Sequence, residues 1–323
     1  MKNLKIILVI FTLALTITAC SNVKETNLSS VSVATLKGPS SMGISKMIED
    51  NAKVDDVSIN YEIYATPDII VSKLLNSEID IATVPTNVAA NIYNKTNGKY
   101  KILDINVLNV LYIVAPKDME IKSITDLKDK TIEISGRKTV PEYVFNYVLN
   151  KNDLVDGENI TLDYSIDHTT SAQKMITGKS KIAIMPQPFA TLVTMKNKDL
   201  EVKINIGDEW TKLTSTDLPM GCIIVKTELA EQNKKFVDNF MEKVKESSLW
   251  VNKNIDKASI TIKNLEILPD ENIVKAAIPY SSIVYIDNED MKESLSKFYE
   301  IINEIDKDSI GGKVPDEKIY YTK

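Results

Sequence analysis

Lys73-Leu74-Leu75-Asn76-Ser77-Glu78-Ile79-Asp80-Ile81-Ala82-Thr83-Val84-Pro85 has a counterpart 101 residues later, Lys174-Met175-Ile176-Thr177-Gly178-Lys179-Ser180-Lys181-Ile182-Ala183-Ile184-Met185-Pro186, aligned without a gap. Each copy reads as the end of an amphipathic helix, a polar turn, a short apolar strand, and a proline that opens another helix. Pro85 leads into Thr86-Asn87-Val88-Ala89-Ala90, and Pro186 into Gln187-Pro188-Phe189-Ala190-Thr191. Two strand-to-helix corners of this kind predict two similar α/β lobes. Open α/β sheets bind ligands at such corners, because free N–H groups of helix starts converge there. The repeat therefore predicts a clam with its ligand between two lobes.

The flanking sequence extends the same alternation. Val31–Leu36 and Ser58–Tyr64 alternate as strands, Ile44–Asn51 reads as a helix, and Leu108–Ala115 is an apolar strand stopped by Pro116. A second unit begins near Ile124, with strands at Thr131–Ser135, Ile160–Tyr164 and Glu201–Asn205 and a helix from Pro141 to Asn150. Cys222–Lys226 restores a strong strand, Glu231–Asn254 is helical in pattern, and Asp287–Asp306 is a further amphipathic helix. These elements predict one lobe from residues 31–115 plus 220–323 and another from 116–219, joined by two crossing strands that form a hinge.

The amino terminus predicts the compartment. Lys2 and Lys5 precede an apolar run from Ile6 to Ile17, and Ile17-Thr18-Ala19-Cys20 closes it as a lipobox. Residues 1–19 are thus expected to be a signal peptide, Cys20 to carry lipid, and residues 20–30 to be a polar tether at the extracytoplasmic face of the cell membrane. No later apolar run approaches membrane length, so lipid is the expected anchor. The net charge of −6 becomes −8 without Lys2 and Lys5, which argues against a nucleic-acid partner. With Cys20 acylated, Cys222 has no partner for a disulfide and reads as a buried thiol. His168 is the only histidine, so no metal constellation is expected, and the chain gives no reason to expect a cofactor.

Several segments resemble the bacterial solute-binding lipoproteins of the nitrate, sulfonate, taurine and thiamine-precursor family. They are the lipobox, Leu36-Lys37-Gly38-Pro39-Ser40-Ser41-Met42-Gly43, Glu78-Ile79-Asp80-Ile81-Ala82, Gly136-Arg137-Lys138-Thr139-Val140-Pro141-Glu142-Tyr143, Met185-Pro186-Gln187-Pro188-Phe189, Leu218-Pro219-Met220-Gly221 and Gly311-Gly312-Lys313-Val314-Pro315-Asp316. The resemblance implies an α/β, two-lobe periplasmic-binding-protein fold of type II with the ligand cleft between lobes. It also implies a monomer that delivers a small organic or anionic solute to an ABC permease and its ATPase. Many relatives carry an acidic residue where this chain has Gln187. The same fold also serves chorismate-processing enzymes of menaquinone synthesis, so an enzyme is the competing class, and a ligand-sensing lipoprotein is a third. Against an enzyme stands the lack of a Ser–His–Asp set, metal ligands or a carboxylate pair.

The candidate ligand-binding residues follow the corners. Gly38, Pro39, Ser40, Ser41 and Met42 offer flexible backbone and hydroxyls before a helix, although a plain strand–helix turn explains them too. Thr86 and Asn87 after Pro85, Gln187 and Phe189 after Pro186, and Gly221 are placed to face the cleft, and Thr86 and Asn87 serve equally well as first-turn caps. Arg137 is the only arginine among 39 basic residues; it sits with Gly136 and Thr139 between a strand and a helix. Its planar fork suits carboxylate, sulfonate or phosphate in a way lysine does not. His168 is either an anion donor or an exposed loop residue. Tyr64, Tyr112, Trp210 and Tyr280 are stacking walls for a flat ligand or else core.

Overall fold

Eleven strands among the described residues form two separate sheets, and the sheets share one plan. The computed structural model describes residues 28–323, apart from Ala52, Gly136 and Ile166; the expected signal peptide and Cys20 lie outside the described residues. The first sheet contains β1 (Ser30–Leu36), β2 (Ser58–Tyr64), β3 (Ile81–Pro85), β4 (Tyr100–Leu108), β10 (Pro219–Lys226) and β11 (Ile283–Ile286), in the order β2-β1-β3-β10-β4-β11. The second contains β5 (Leu111–Pro116), β6 (Thr131–Ser135), β7 (Thr161–Ser165), β8 (Ala183–Pro186) and β9 (Leu200–Asn205), in the order β7-β6-β8-β5-β9. In each, three parallel strands are followed by one antiparallel strand, which the chain contributes while crossing between sheets: β10 in the first and β5 in the second. This is the two-lobe periplasmic-binding-protein fold.

The sequence repeat is a structural one. Helices Pro67–Leu75 and His168–Ile176 lie 101 residues apart and have the same length. Both end with a residue in the left-handed region, Ser77 at φ 61° and Gly178 at φ 72°. Both close with the same terminal hydrogen bond: Glu78 N–H donates to Lys73 O in one and Lys179 N–H to Lys174 O in the other, each at 2.9 Å. That pattern satisfies carbonyls the helix leaves unpaired. Even an exposed ion pair recurs, Lys73 with Glu62 at 3.5 Å and Lys174 with Asp163 at 3.7 Å.

Three expectations need correction. The apolar run over Leu108–Ala115 is divided, because β4 ends at Leu108 and β5 begins at Leu111 in the other sheet. The chain therefore changes sheet at Asn109–Val110, ahead of the boundary at Ala115. The helix expected over Glu231–Asn254 is two, Thr227–Gln232 and Lys234–Lys253, separated at Asn233. The helix expected over Ile44–Asn51 is present but short, Ser45–Glu49, and the loop expected over Gly38–Gly43 before it is itself a short helix, Pro39–Gly43.

Both faces of the first sheet are covered. Leu103, Ile223 and Val225 on one face pack with Phe236, Val237, Phe240 and Val244 of helix Lys234–Lys253. The opposite face merges with the second sheet's core through helix Asn288–Asp306. Trp210, 0% exposed, sits at that junction with ring centroids 5.3 Å from Tyr147 and 6.0 Å from Phe298. It is packed as a core residue. Removing so large a buried ring leaves a cavity whose lining cannot fully collapse. Trp210→Ala is expected to cost about 3–5 kcal/mol in urea unfolding, with the transition staying cooperative.

Candidate functional site

The carboxyl edges of the parallel strands in both sheets face each other because only Asn109 and Val110 separate the end of β4 from the start of β5. Asn109 also ties this crossing to the return crossing. Its N–H donates to Leu218 O at 3.1 Å, its Oδ1 accepts from Leu218 N–H at 2.9 Å, and its Nδ2 donates to Asp217 Oδ1 at 3.1 Å. Gln187 N–H donates to Val110 O at 2.9 Å, which fixes the second repeat corner beside the crossing.

On the first rim, most of the predicted hydroxyls are already engaged within the fold. Gly38 has φ 116° and ψ −154°, a conformation open essentially only to glycine, and it caps helix Pro39–Gly43. Ser41 Oγ donates to Leu36 O at 2.5 Å and lies 3.1 Å from Thr35 Oγ1, which is 3.0 Å from Thr83 Oγ1. Thr83 Oγ1 in turn accepts from Leu36 N–H at 2.9 Å. This buried hydroxyl chain fastens the loop to β1 and β3, so Ser41 has a structural duty. Met42 belongs to a core cluster with Val251, Ile262 and Ile278. Thr86 Oγ1 donates to Pro219 O at 2.8 Å, and Tyr299 donates to Thr86 O at 3.0 Å, locking the first corner to β10. Pro39 is half-buried at the first helical turn, and Asn87 is buried just behind Thr86.

Asn106, which the sequence reading did not single out, stands among Ser40 and Gly221. It lies on β4 where the ladder slips: Gly221 pairs with Val107 but Cys222 pairs with Ile105, leaving Asn106 as the extra residue of a bulge. Bulges re-aim side chains and recur beside sites. A Cβ on Gly221 would stand 2.8 Å from Asn106 Oδ1 and 3.1 Å from Ser40 Oγ, so glycine is required for the amide to lie there. Asn106 is 3% exposed, and neither Oδ1 nor Nδ2 has a hydrogen-bond partner. A buried polar group left unpaired costs about 1–3 kcal/mol. The available signal was a lone amide inside the apolar run Ile102–Leu108.

The second rim is built from Ser135 at the end of β6 and Ser165 at the end of β7, which pair in register where the first sheet has Leu36 and Tyr64. Ser135 Oγ is hydrogen-bonded to His168 Nδ1, and the imidazole lies 5.4 Å from the Phe189 ring. His168 is therefore a partly buried residue of a helix start, and the loop alternative is set aside. Burial pushes its imidazole down to about 4, against the weaker opposing pull of Asp167. The ring is neutral at pH 7, so it contributes no positive charge to an anion. Asp167 itself caps the helix by accepting from Thr170 N–H at 2.7 Å. Gln187 Oε1 accepts from Thr191 Oγ1 at 2.8 Å, which spends its acceptor inside the corner.

Arg137 is exposed, with its guanidinium carbon 3.7 Å from the centroid of the Tyr164 ring, and Tyr164 donates to Glu142 Oε1 at 2.8 Å. Stacking of this kind holds the guanidinium plane in a fixed attitude. Thr139 precedes helix Val140–Asn150 in extended backbone, and Gly136 lies outside the described residues. Of the aromatic candidates, Tyr112 is buried and its hydroxyl donates to Tyr280 O at 2.8 Å, whereas Tyr64 is half-buried with its hydroxyl on Glu62. Tyr280, 57% exposed, is the one that presents a ring to solvent. Two open grooves, of 730 Å³ beside Gly178 and Asn197 and of 500 Å³ beside Ser77 and Asn97, occupy matching places at the opposite ends of the strands. Among the described residues no group of three His, Cys, Asp or Glu is placed to hold a metal ion.

Comparison with known proteins bears on this geometry. A family model described as menaquinone biosynthesis matches residues 56–304. A Bacillus subtilis protein described as a candidate binding protein, YtlA, is 24% identical over 194 residues, 59% of this chain; the chain spans just over half, 56%, of that relative's length. An ABC transporter structure from Parabacteroides distasonis superposes with TM-score 0.81 at 20% identity, covering 91% of this chain and 99% of that one. The periplasmic aliphatic sulphonate binding protein SsuA from Escherichia coli gives TM-score 0.73 at 12% identity, covering 91% and 92%. At these identities the structural likeness establishes the fold.

The partly buried imidazole makes stability depend on pH. Between pH 6.5 and about 4 the unfolded chain takes up a proton at His168 that the folded chain refuses, so stability falls as pH falls through that window. The full loss is about 3 kcal/mol. His168→Gln removes this contribution. Its urea midpoint is expected to drop less than the parent's between pH 7 and pH 4.5, and equal drops would place the acid sensitivity elsewhere.

Proposed function

This chain belongs to the menaquinone-biosynthesis family, and within it we propose a solute-binding protein of an ABC importer, which closes two lobes over a small organic or anionic solute. The observation that carries this reading is the pair of sheets with one strand order whose carboxyl edges meet across a two-residue crossing. That arrangement sets two rims of polar groups against each other about a hinge. The Escherichia coli sulphonate-binding protein and the Parabacteroides distasonis ABC transporter share the fold, which supports the reading. The amino-terminal lipobox supports an extracytoplasmic, lipid-anchored protein; in this reading it acts as a monomer that hands its solute to a permease and ATPase. No helix among the described residues is long and apolar enough to cross a membrane.

The family description favours a second reading, an enzyme of the same fold. Its chemistry would fall to Ser135 and His168. The imidazole there is held neutral far below its ordinary range, which makes it a weak base, and the neighbouring Asp167 is committed to capping. Binding without turnover is therefore the expected behaviour.

A soluble form starting at Ser21, screened by thermal shift against sulfonates, nitrate, carboxylates, pyrimidines and thiamine-like compounds, is expected to gain stability with one chemical class. Small-angle scattering should then record a smaller radius of gyration with that compound bound. Steady conversion of the bound compound to product would select the enzyme instead. Arg137→Ala is expected to lower affinity more than tenfold for an anionic solute, through loss of a charged hydrogen bond; unchanged affinity would place Arg137 outside the contact.

A further inference from the structure

We infer that Asn106, with Gly221 and Ser40, reads an edge of the solute that carries an N–H or O–H donor beside a carbonyl-type acceptor, as in a carboxamide, a ureide or a pyrimidine. The inference rests on the binding reading above and narrows it. Three observations lead to it. The Asn106 amide is buried, and both its donor and its acceptor lack partners, so the fold by itself leaves two needs open. The bulge that delivers it is a local departure from the ladder that pairs β4 with β10. Gly221 on the facing strand leaves clear the volume that any side chain would take from the amide oxygen.

An amide offers one acceptor and two donors, and exchanging its oxygen and nitrogen leaves the same two kinds of need. A sulfonate or nitrate brings acceptors alone. Such an ion satisfies the NH₂ group but sets its oxygens against the amide oxygen, which stays unpaired. A solute edge with a donor next to an acceptor satisfies both ends at once. Sites built to hydrogen-bond a substrate group reject analogues lacking it by large factors, because the site's own polar atoms are then stranded. Asn106 therefore serves as a specificity-determining residue, and the charge of the solute is left to groups such as Arg137.

The test is isothermal titration calorimetry on the chain from Ser21, with uracil and nicotinamide as edge-bearing probes and ethanesulfonate and nitrate as acceptor-only probes. At least one edge-bearing probe is expected to bind. Asn106→Asp, which keeps the shape but loses the donor, should weaken it at least tenfold, and Asn106→Leu should abolish it. Gly221→Ala, which keeps Asn106 and places a methyl against its oxygen, should also weaken binding at least tenfold. Cooperative thermal unfolding of each variant establishes folding, and Asn106→Leu should melt above the parent in the absence of probe. If only acceptor-only probes bind, with affinity unchanged in Asn106→Leu, the inference is overturned while the binding reading stands. If neither these probes nor the wider panel binds, the binding reading falls and the inference with it.

Discussion

The hydrogen bonds of Asn109 hold the molecule's geometry together. With a backbone φ of 44°, this residue turns the chain out of β4 and into β5, and its amide clasps the return crossing at Asp217 and Leu218. A link of two residues leaves the sheets little freedom in how their edges meet, so both sets of strand ends open onto the same space. The crossings also explain where the antiparallel strands fall. β5 is the first strand laid down in the second sheet, antiparallel to β8, and β10 is the first laid down on return, antiparallel to β3. The first sheet is therefore assembled from two stretches of chain, with the whole second sheet inserted between them.

Around that hinge the lobes are braced by contacts made far apart in sequence. Tyr112 donates to Tyr280 O at 2.8 Å, Tyr143 donates to Asp306 Oδ2 at 2.7 Å, and Trp210 packs on Phe298. Helix Asn288–Asp306 is thus a spine shared by both lobes. Its apolar side is buried along Met291, Leu295, Phe298 and Ile302, while its charged side faces water. Burial of this sort supplies most of the driving force for docking. The tyrosine hydroxyls add direction, because a buried hydroxyl needs a partner and this placement of the lobes provides one.

The two rims have different chemistry on the same plan. The first is a set of hydroxyls satisfied by one another and by backbone, with one unsatisfied amide. The second pairs Ser135 with a neutral imidazole, beside a guanidinium stacked on Tyr164. Most hydroxyls at the corners therefore hold loops in place. Their abundance is a property of tight strand-to-helix turns, where side chains must replace missing ladder bonds.

Sequence alone determined what depends on local periodicity. The repeat, the strands Ser58–Tyr64 and Thr131–Ser135, and the helix starts after Pro85 and Thr139 follow from alternation, turn residues and proline, all of which act over a few residues. It did not reveal β4 as a strand, because Asp104 and Asn106 interrupt the apolar pattern and strand pairing is a long-range choice. Nor did it separate the engaged hydroxyls of Ser41 and Thr86 from the unpaired amide of Asn106, since all are small polar residues near turns or strands. Trp210 read as either a stacking wall or core, and Met42 as part of a site loop or a plain turn. Only the tertiary structure decided these cases, because a polar group's role depends on which distant atoms pack against it. In this chain those atoms arrive from segments more than a hundred residues away, as Pro219 does for Thr86 and Gly221 for Asn106.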